Sequence, residues 1–250
     1  MAAEFAALIL AGSRGVADPV ASAEGVSHKA LVDIAGETML QRVARALAKA
    51  GAAQIVVSTS DTAVRAHALT LGLRTIPAAA GPSASVAKAI DTVGTPLLVT
   101  TADHGLLDPA WVTAFLAGVP AGVDVATLLA ERALVEAAAP GTRRTWLRFA
   151  DGAWSGCNLF WLATPRASAA IAVWNDVERD RKRPWRIVRR LGLRRMLAYL
   201  TGRLTLQDAI HALGRIAGVE AAVVASPYGL AAVDVDTPAD LALVRAIAAL

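Results

Sequence analysis

Cysteine is almost missing from this chain: Cys157 stands alone among 250 residues. No internal disulfide framework is possible, so packing alone must hold the fold. No apolar run reaches the ~18 residues that a membrane-spanning helix needs. The apolar start, residues 1–10, carries Glu4 and no basic lead-in, so a cleaved signal peptide is not expected and a cytoplasmic location is. Internal repeats and low-complexity tracts are absent, and so is any Pro/Gly/Ser linker that would divide the chain. The phosphate-binding pattern GxxxxGK does not occur, and neither does a complete GxGxxG. What is present is 55% hydrophobic residues, enough at this length to bury one full core.

Charge is unevenly spread. Net charge is +4, yet residues 178–203 hold ten Lys/Arg against two acids, +8 locally, which leaves 15 basic and 19 acidic residues elsewhere, or −4. One basic segment on a mildly acidic body points to a local anionic partner rather than to nucleic acid.

Apolar runs at 5–10, 54–58, 73–76, 97–100 and 123–129 read as strands, and amphipathic segments at 38–50, 60–70, 83–93 and 108–117 read as helices. Gly51 and Gly72 stop helices, and Asp108-Pro109 starts one. This alternation predicts a Rossmann-like three-layer α/β/α fold with a mostly parallel central sheet. The rhythm changes after Pro140. Strands are expected at 145–149 and 154–162, joined at Asp151-Gly152, with helices at 165–177, 184–200 and 205–217. Strands at 220–225 and 233–235 and a Thr237-capped helix at 238–249 complete the pattern. Residues 1–250 are expected to form one domain, with 141–217 an elaboration of it.

Three places carry chemistry. The first strand runs into Leu10-Ala11-Gly12-Ser13-Arg14-Gly15, and Lys29 follows. Glycines let backbone amides approach an anion, and a lysine adds a point charge for phosphate; the bland alternative is an ordinary turn and a solvated lysine. Asp103, after the apolar run 96–99, falls at a strand's carboxyl end, where open α/β sheets bind ligands. A carboxylate there suits Mg²⁺, a cation of hard oxygen ligands; otherwise it caps a turn. His104 beside it is either a ligand contact or a plain loop histidine. In Asp234-Val235-Asp236-Thr237-Pro238, alternation sends Asp234 and Asp236 to one side, and two like charges there call for a cation. The alternative leaves Asp236 in solvent at a helix start.

These pieces in this order resemble the MobA-like nucleotidyltransferases of the GT-A type, a group of molybdenum-cofactor guanylyl- and cytidylyltransferases with sugar-phosphate and methylerythritol-phosphate cytidylyltransferases among its relatives. The first loop, Lys29-Ala30-Leu31 with Ile34-Ala35-Gly36-Glu37-Thr38-Met39-Leu40, Asp103 and Asp236-Thr237-Pro238 carry the resemblance. It covers 5–135 and 220–250 and is thin over 141–217. One departure is that Val16-Ala17-Asp18 follow Gly15 where the commoner form has Met-Gly.

The resemblance implies a GT-A nucleotidyltransferase fold with Leu10, Ala11, Gly12, Ser13 and Arg14 around the base and phosphates and Lys29 on the phosphates. Asp103 and Asp236, with Asp234 a third candidate, hold Mg²⁺. In 81–86, Ser83 and Ser85 are the candidate donors to base or ribose. Asn158, where such enzymes contact the acceptor, is either that contact or a buried structural amide.

The implied reaction moves NMP from an NTP, CTP or GTP favoured, to a phosphorylated small molecule or lipid head group, with release of pyrophosphate. Lys29, Arg14 and Asp103 would be its catalytic residues. The competing readings are a nucleotide-sugar-dependent glycosyltransferase using Asp234-Val235-Asp236, and a non-catalytic nucleotide-binding or membrane-surface regulator. The basic segment, with Arg181, Lys182 and Arg183 at its centre, mixes cations with Trp185, Ile187, Leu193 and Leu197 at helical spacing. It packs its apolar side into the core, binds the acceptor phosphate, or lies against an anionic membrane surface.

Overall fold

The computed structural model describes residues 4–13, 18–171, 173–175, 186 and 192–249. The chain runs through β1 (Phe5–Leu10), α1 (Pro19–Ala23), β2 (Asp33–Ile34), β3 (Glu37–Thr38), α2 (Met39–Lys49), β4 (Ala52–Ser58), α3 (Thr62–Thr70), β5 (Arg74–Ile76), α4 (Pro82–Val93), β6 (Leu97–Thr101), α5 (Pro109–Gly118), β7 (Val125–Glu131) and α6 (Arg132–Ala138). It continues through β8 (Leu147–Phe149), β9 (Gly152–Leu162), α7 (Leu193–Leu200), α8 (Leu206–Ala217), β10 (Ala221–Ser226) and α9 (Pro238–Ala248).

The main sheet has the order β10-β7-β9-β6-β1-β4-β5, with β8 paired to β9. Strands β5, β4, β1 and β6 pair in parallel, as do β7 and β10. Strand β9 runs against both of its neighbours, β6 and β7. Alternation along β1 divides the core. Ala7 and Ile9 face one side, packed with Leu40, Val43 and Leu47 of α2 and Trp111 and Phe115 of α5. Leu8 faces the other, against Val86 and Ala89 of α4. Three layers result, helices on both faces of a mostly parallel sheet, because a central strand buried on both sides must be apolar throughout.

Local chemistry sets the element ends. Thr38 caps α2 by accepting from the Gln41 amide at 3.1 Å. Thr237 and Asp240 form a reciprocal capping box at α9, which satisfies amides a helix start leaves without partners.

Strand β9 carries the main irregularity. It pairs with β7 from Val125–Leu162 to Thr127–Phe160 and again from Leu129–Gly156 to Glu131–Trp154, so Cys157, Asn158 and Leu159 together oppose Leu128. Asn158 takes the left-handed conformation, φ 51°, which asparagine tolerates better than most residues. Cys157 and Leu159 both enter the core, and the bulge leaves Asn158 turned elsewhere.

Three expected elements differ. The helix over 184–200 is interrupted at Gly192, which stands at φ 94° just before α7; Arg186 is helical, and 184, 185 and 187–191 lie outside the described residues. The strand over 233–235 forms no ladder. A short 3₁₀ turn, Gly229–Ala232, delivers it instead to the end of β6, where the Val235 amide donates to the Asp103 carbonyl at 3.1 Å. The helix over 165–177 starts as a 3₁₀ turn, Pro165–Ala169. The elements α1, α6 and the β2–β3 ribbon were not anticipated.

Candidate active site

The site is built where β1 and β6 end side by side. The Ala102 amide donates to the Leu10 carbonyl at 2.9 Å and the Ala11 amide to the Ser58 carbonyl at 2.9 Å, which ties the loops after β1, β4 and β6 together. Ala11 is buried, whereas Gly12 and Ser13 are exposed. A Cβ on Gly12 would stand 3.6 Å from that of Ala78, so the glycine loop lies against the segment leading into α4. The hydroxyl of Ser85 is used within that segment, accepting the Ala79 amide at 3.0 Å, while that of Ser83 donates to the Asn175 side-chain oxygen at 3.4 Å. Both serines are buried.

Lys29 opens a 3₁₀ turn whose cap, His28, accepts the Ala30 amide on Nδ1 at 3.0 Å. From there its ammonium reaches Asp103 Oδ2 at 2.6 Å, Asp236 Oδ1 at 3.3 Å and the Val235 carbonyl at 3.1 Å. One cation therefore joins the first loop region, the end of β6 and the segment before α9. The Asp103 turn is steadied from α2, where Arg42 Nε donates to the Gly105 carbonyl at 2.8 Å.

Asp103, Asp234 and Asp236 each offer a carboxylate oxygen within 4.8 Å of the others. On the far side of Asp234 stands Arg144, only 5% exposed. It pairs with the Asp234 carboxylate, donates to that residue's carbonyl at 3.0 Å and reaches Asp240 Oδ1 at 3.0 Å. The β9 bulge turns Asn158 to the same acid, its amide donating to Asp234 Oδ2 at 2.8 Å.

The electrostatics follow from this crowding. Burial opposes the charge of Asp103, but the Lys29 ammonium beside it holds its carboxyl below the usual range. Asp103 in turn, with Asp236, holds the Lys29 proton more tightly than usual despite burial. Asp234 goes the other way. Burial first, then Asp103 and Asp236, push its carboxyl up to about 6, against the pull of Arg144. Three acids in one place lack cationic charge to match.

A divalent cation fits these residues. Asp103 Oδ1 is buried with no hydrogen-bond partner, and a hard cation takes carboxylate oxygens. His104 is not a loop histidine in solvent: it is 1% exposed, beside the Trp111 ring at 5.9 Å between centroids. Burial pushes its imidazole down to about 4, which keeps it neutral.

The structure thus brings together Lys29, Asp103, Asp234, Asp236 and Asn158 at the edge of the sheet where Leu10, Ala11, Gly12 and Ser13 lie. Arg14, Arg181, Lys182 and Arg183 lie outside the described residues. Arg42 and Arg144 were not singled out in the sequence, where nothing distinguishes them from surface arginines.

Residues 7–148 match the MobA-like NTP transferase domain, and the chain belongs to that family of nucleotidyltransferases. The solved structure of a hypothetical transferase from Thermus thermophilus is 31% identical, with a TM-score of 0.80 over 96% of this chain and 100% of that one. CMP:2-keto-3-deoxy-manno-octonic acid synthetase, complexed with CTP, shares the fold at 21% identity, with a TM-score of 0.57 over 99% of each chain. So does 2-C-methyl-D-erythritol 4-phosphate cytidylyltransferase, also from Thermus thermophilus, at 17% identity and a TM-score of 0.54 over 99% of this chain and 100% of that one. No curated protein matches the sequence.

Proposed function

We propose that this nucleotidyltransferase moves a nucleoside monophosphate from CTP or GTP to the phosphate of a small phosphorylated acceptor, a lipid head-group precursor included, in the cytoplasm. An acceptor phosphate oxygen forms a bond to the α-phosphorus, the bond from that phosphorus to the β-bridging oxygen breaks, and pyrophosphate leaves. The observation that carries this reading is the meeting of Lys29, Asp103, Asp234 and Asp236 beside the Gly12 loop. CTP comes first because two neighbours of the same fold are named for cytidylyl chemistry; GTP follows from the family resemblance.

Asp103, Asp236 and Asp234 would hold Mg²⁺, which when bound supplies charge neutralisation at the phosphates. Lys29 contributes a fixed positive charge that needs no reorganisation as the bond to phosphorus forms. Leu10 to Ser13 and Arg14 are assigned to the base and phosphates, and the segment with Ser83 and Ser85 to the ribose side. No general base is required, because a phosphate oxygen is already nucleophilic; positioning and charge supply the catalysis. Asn158 and residues 141–217, with Arg181, Lys182 and Arg183, form the acceptor side in this reading.

The test is pyrophosphate release across CTP, GTP, ATP and UTP with a panel of phosphate monoesters. Release with CTP or GTP and one monoester class supports the proposal, and none with any pair defeats it. For the metal, Mg²⁺ should raise the thermal midpoint of the wild-type chain and leave that of Asp103→Asn unmoved.

A further inference from the structure

Helix α7 has two faces with different fates. Met196 and Tyr199 turn inward to a small cluster with Phe149, Leu204 and Ala209. Leu193, Leu197 and Leu200, at i, i+4 and i+7, turn outward at 69%, 53% and 68% exposure. The other exposed large apolar side chains among the described residues, such as Leu69, Leu134 and Ile216, are scattered through the sequence. A stripe of three leucines on two helical turns is a contiguous apolar surface that water does not favour.

The charges on the segment that carries the stripe are of one sign. Helix α7 carries Arg194 and Arg195, Arg203 follows it, and residues 192–204 hold no acid. Arg194 and Arg203 are exposed. The nearby Asp151 carboxylate is occupied in accepting the Leu206 amide at 2.9 Å, and that of Asp208 accepts from the Thr205 hydroxyl at 2.9 Å. An open groove of about 320 Å³ beside Leu200 is lined by Phe149 and Tyr199, with Arg148 in its wall. In sequence the whole stretch 178–203 carries ten cations against two acids.

We propose that this face of α7 docks on an anionic phospholipid bilayer. Leucines enter the head-group boundary while arginines pair with lipid phosphates, the arrangement that holds an amphipathic helix on a membrane surface without spanning it. A second copy of the chain is disfavoured as occupant, because its own arginines would meet these across the contact. The helix packs on β8, which pairs with the start of β9, and that start lies beside the end of β7. The docking face therefore sits toward the edge of the sheet that carries Asp103. The proposal stands on these surface features and does not require the nucleotidyl-transfer chemistry.

The experiment is co-sedimentation of the full chain with vesicles of phosphatidylcholine, with and without phosphatidylglycerol. Pelleting on the anionic vesicles, weakening as salt rises, is the expected result and needs no variant. Leu197→Ser with Leu200→Ser should reduce it by at least about tenfold, and Arg194→Gln by about fivefold, with the far-ultraviolet circular dichroism of each variant matching that of the wild-type chain. Equal pelleting on neutral vesicles, or none on anionic ones, overturns the proposal. A concentration-dependent dimer that the leucine pair abolishes would assign the face to a second copy and overturn it equally.

Discussion

At the N-terminal edge of the sheet, Asp124 is a buried carboxylate with all its needs met. Its Oδ1 accepts the Thr164 hydroxyl at 2.5 Å and its Oδ2 the Glu220 amide at 2.9 Å, and its backbone bonds Glu220 and Ala163. It staples the starts of β7 and β10 to the end of β9. At the opposite edge Asp103, Asp234 and Asp236 crowd within 4.8 Å, one of their oxygens is buried without a partner, and Lys29 and Arg144 only partly offset their charge. The same residue type is closed in one place and open in the other. A carboxylate that is fully satisfied stabilises; a cluster that is not has capacity left for a ligand.

The comparison can be broken most forcefully at Arg144. Arg144→Ala leaves the half-buried Asp234 and the buried Asp240 without their cation and should cost about 3–5 kcal/mol, read from the urea midpoint; a loss below about 1 kcal/mol would make the pair dispensable. Lys29→Ala and Asp103→Ala should each lower pyrophosphate release by ~10²-fold or more, whereas Asp124→Asn should leave it unchanged. Gly229→Ala should cost about 1–3 kcal/mol, because a Cβ there collides with the Leu134 carbonyl in the turn that delivers the acids; unchanged thermal unfolding would count against that.

The smallest effect sharpens the closed end. The Thr164 hydroxyl, then the Glu220 amide, hold the Asp124 carboxyl below its ordinary value. Its stabilising contribution is therefore complete above the unfolded value near pH ~4 and fades as pH falls through the lower native one. Asp124→Asn should lower the thermal midpoint at pH 7 by about 2–4 °C and flatten its decline below pH ~4.

The parallel strands and the two acids that meet Lys29 were readable because each is a local apolar run ending in a chemical residue. Residues 97–101 bury four of five side chains before Asp103, and Thr237-Pro238 marks the α9 start after Asp236. Arg144 was not readable: its acidic partners lie 90 and 96 positions away, and its own surroundings have no period. The aim of Asn158 depends on a bulge that only the pairing of β7 with β9 reveals. Gly192 marks the break before α7, although apolar residues recur at helical spacing on both sides of it in the sequence.

The single backbone bond from Val235 to Asp103 has a consequence for a growing chain. Every described strand of the main sheet is complete by Ser226, so a polypeptide released before Val233 carries the strands but lacks the second arm of acids and the core residues Leu241 and Val244 of α9. Under the proposed function, ribosomes must pass Asp236 before the crevice is complete, and prematurely terminated products would be inert toward the nucleotide pool.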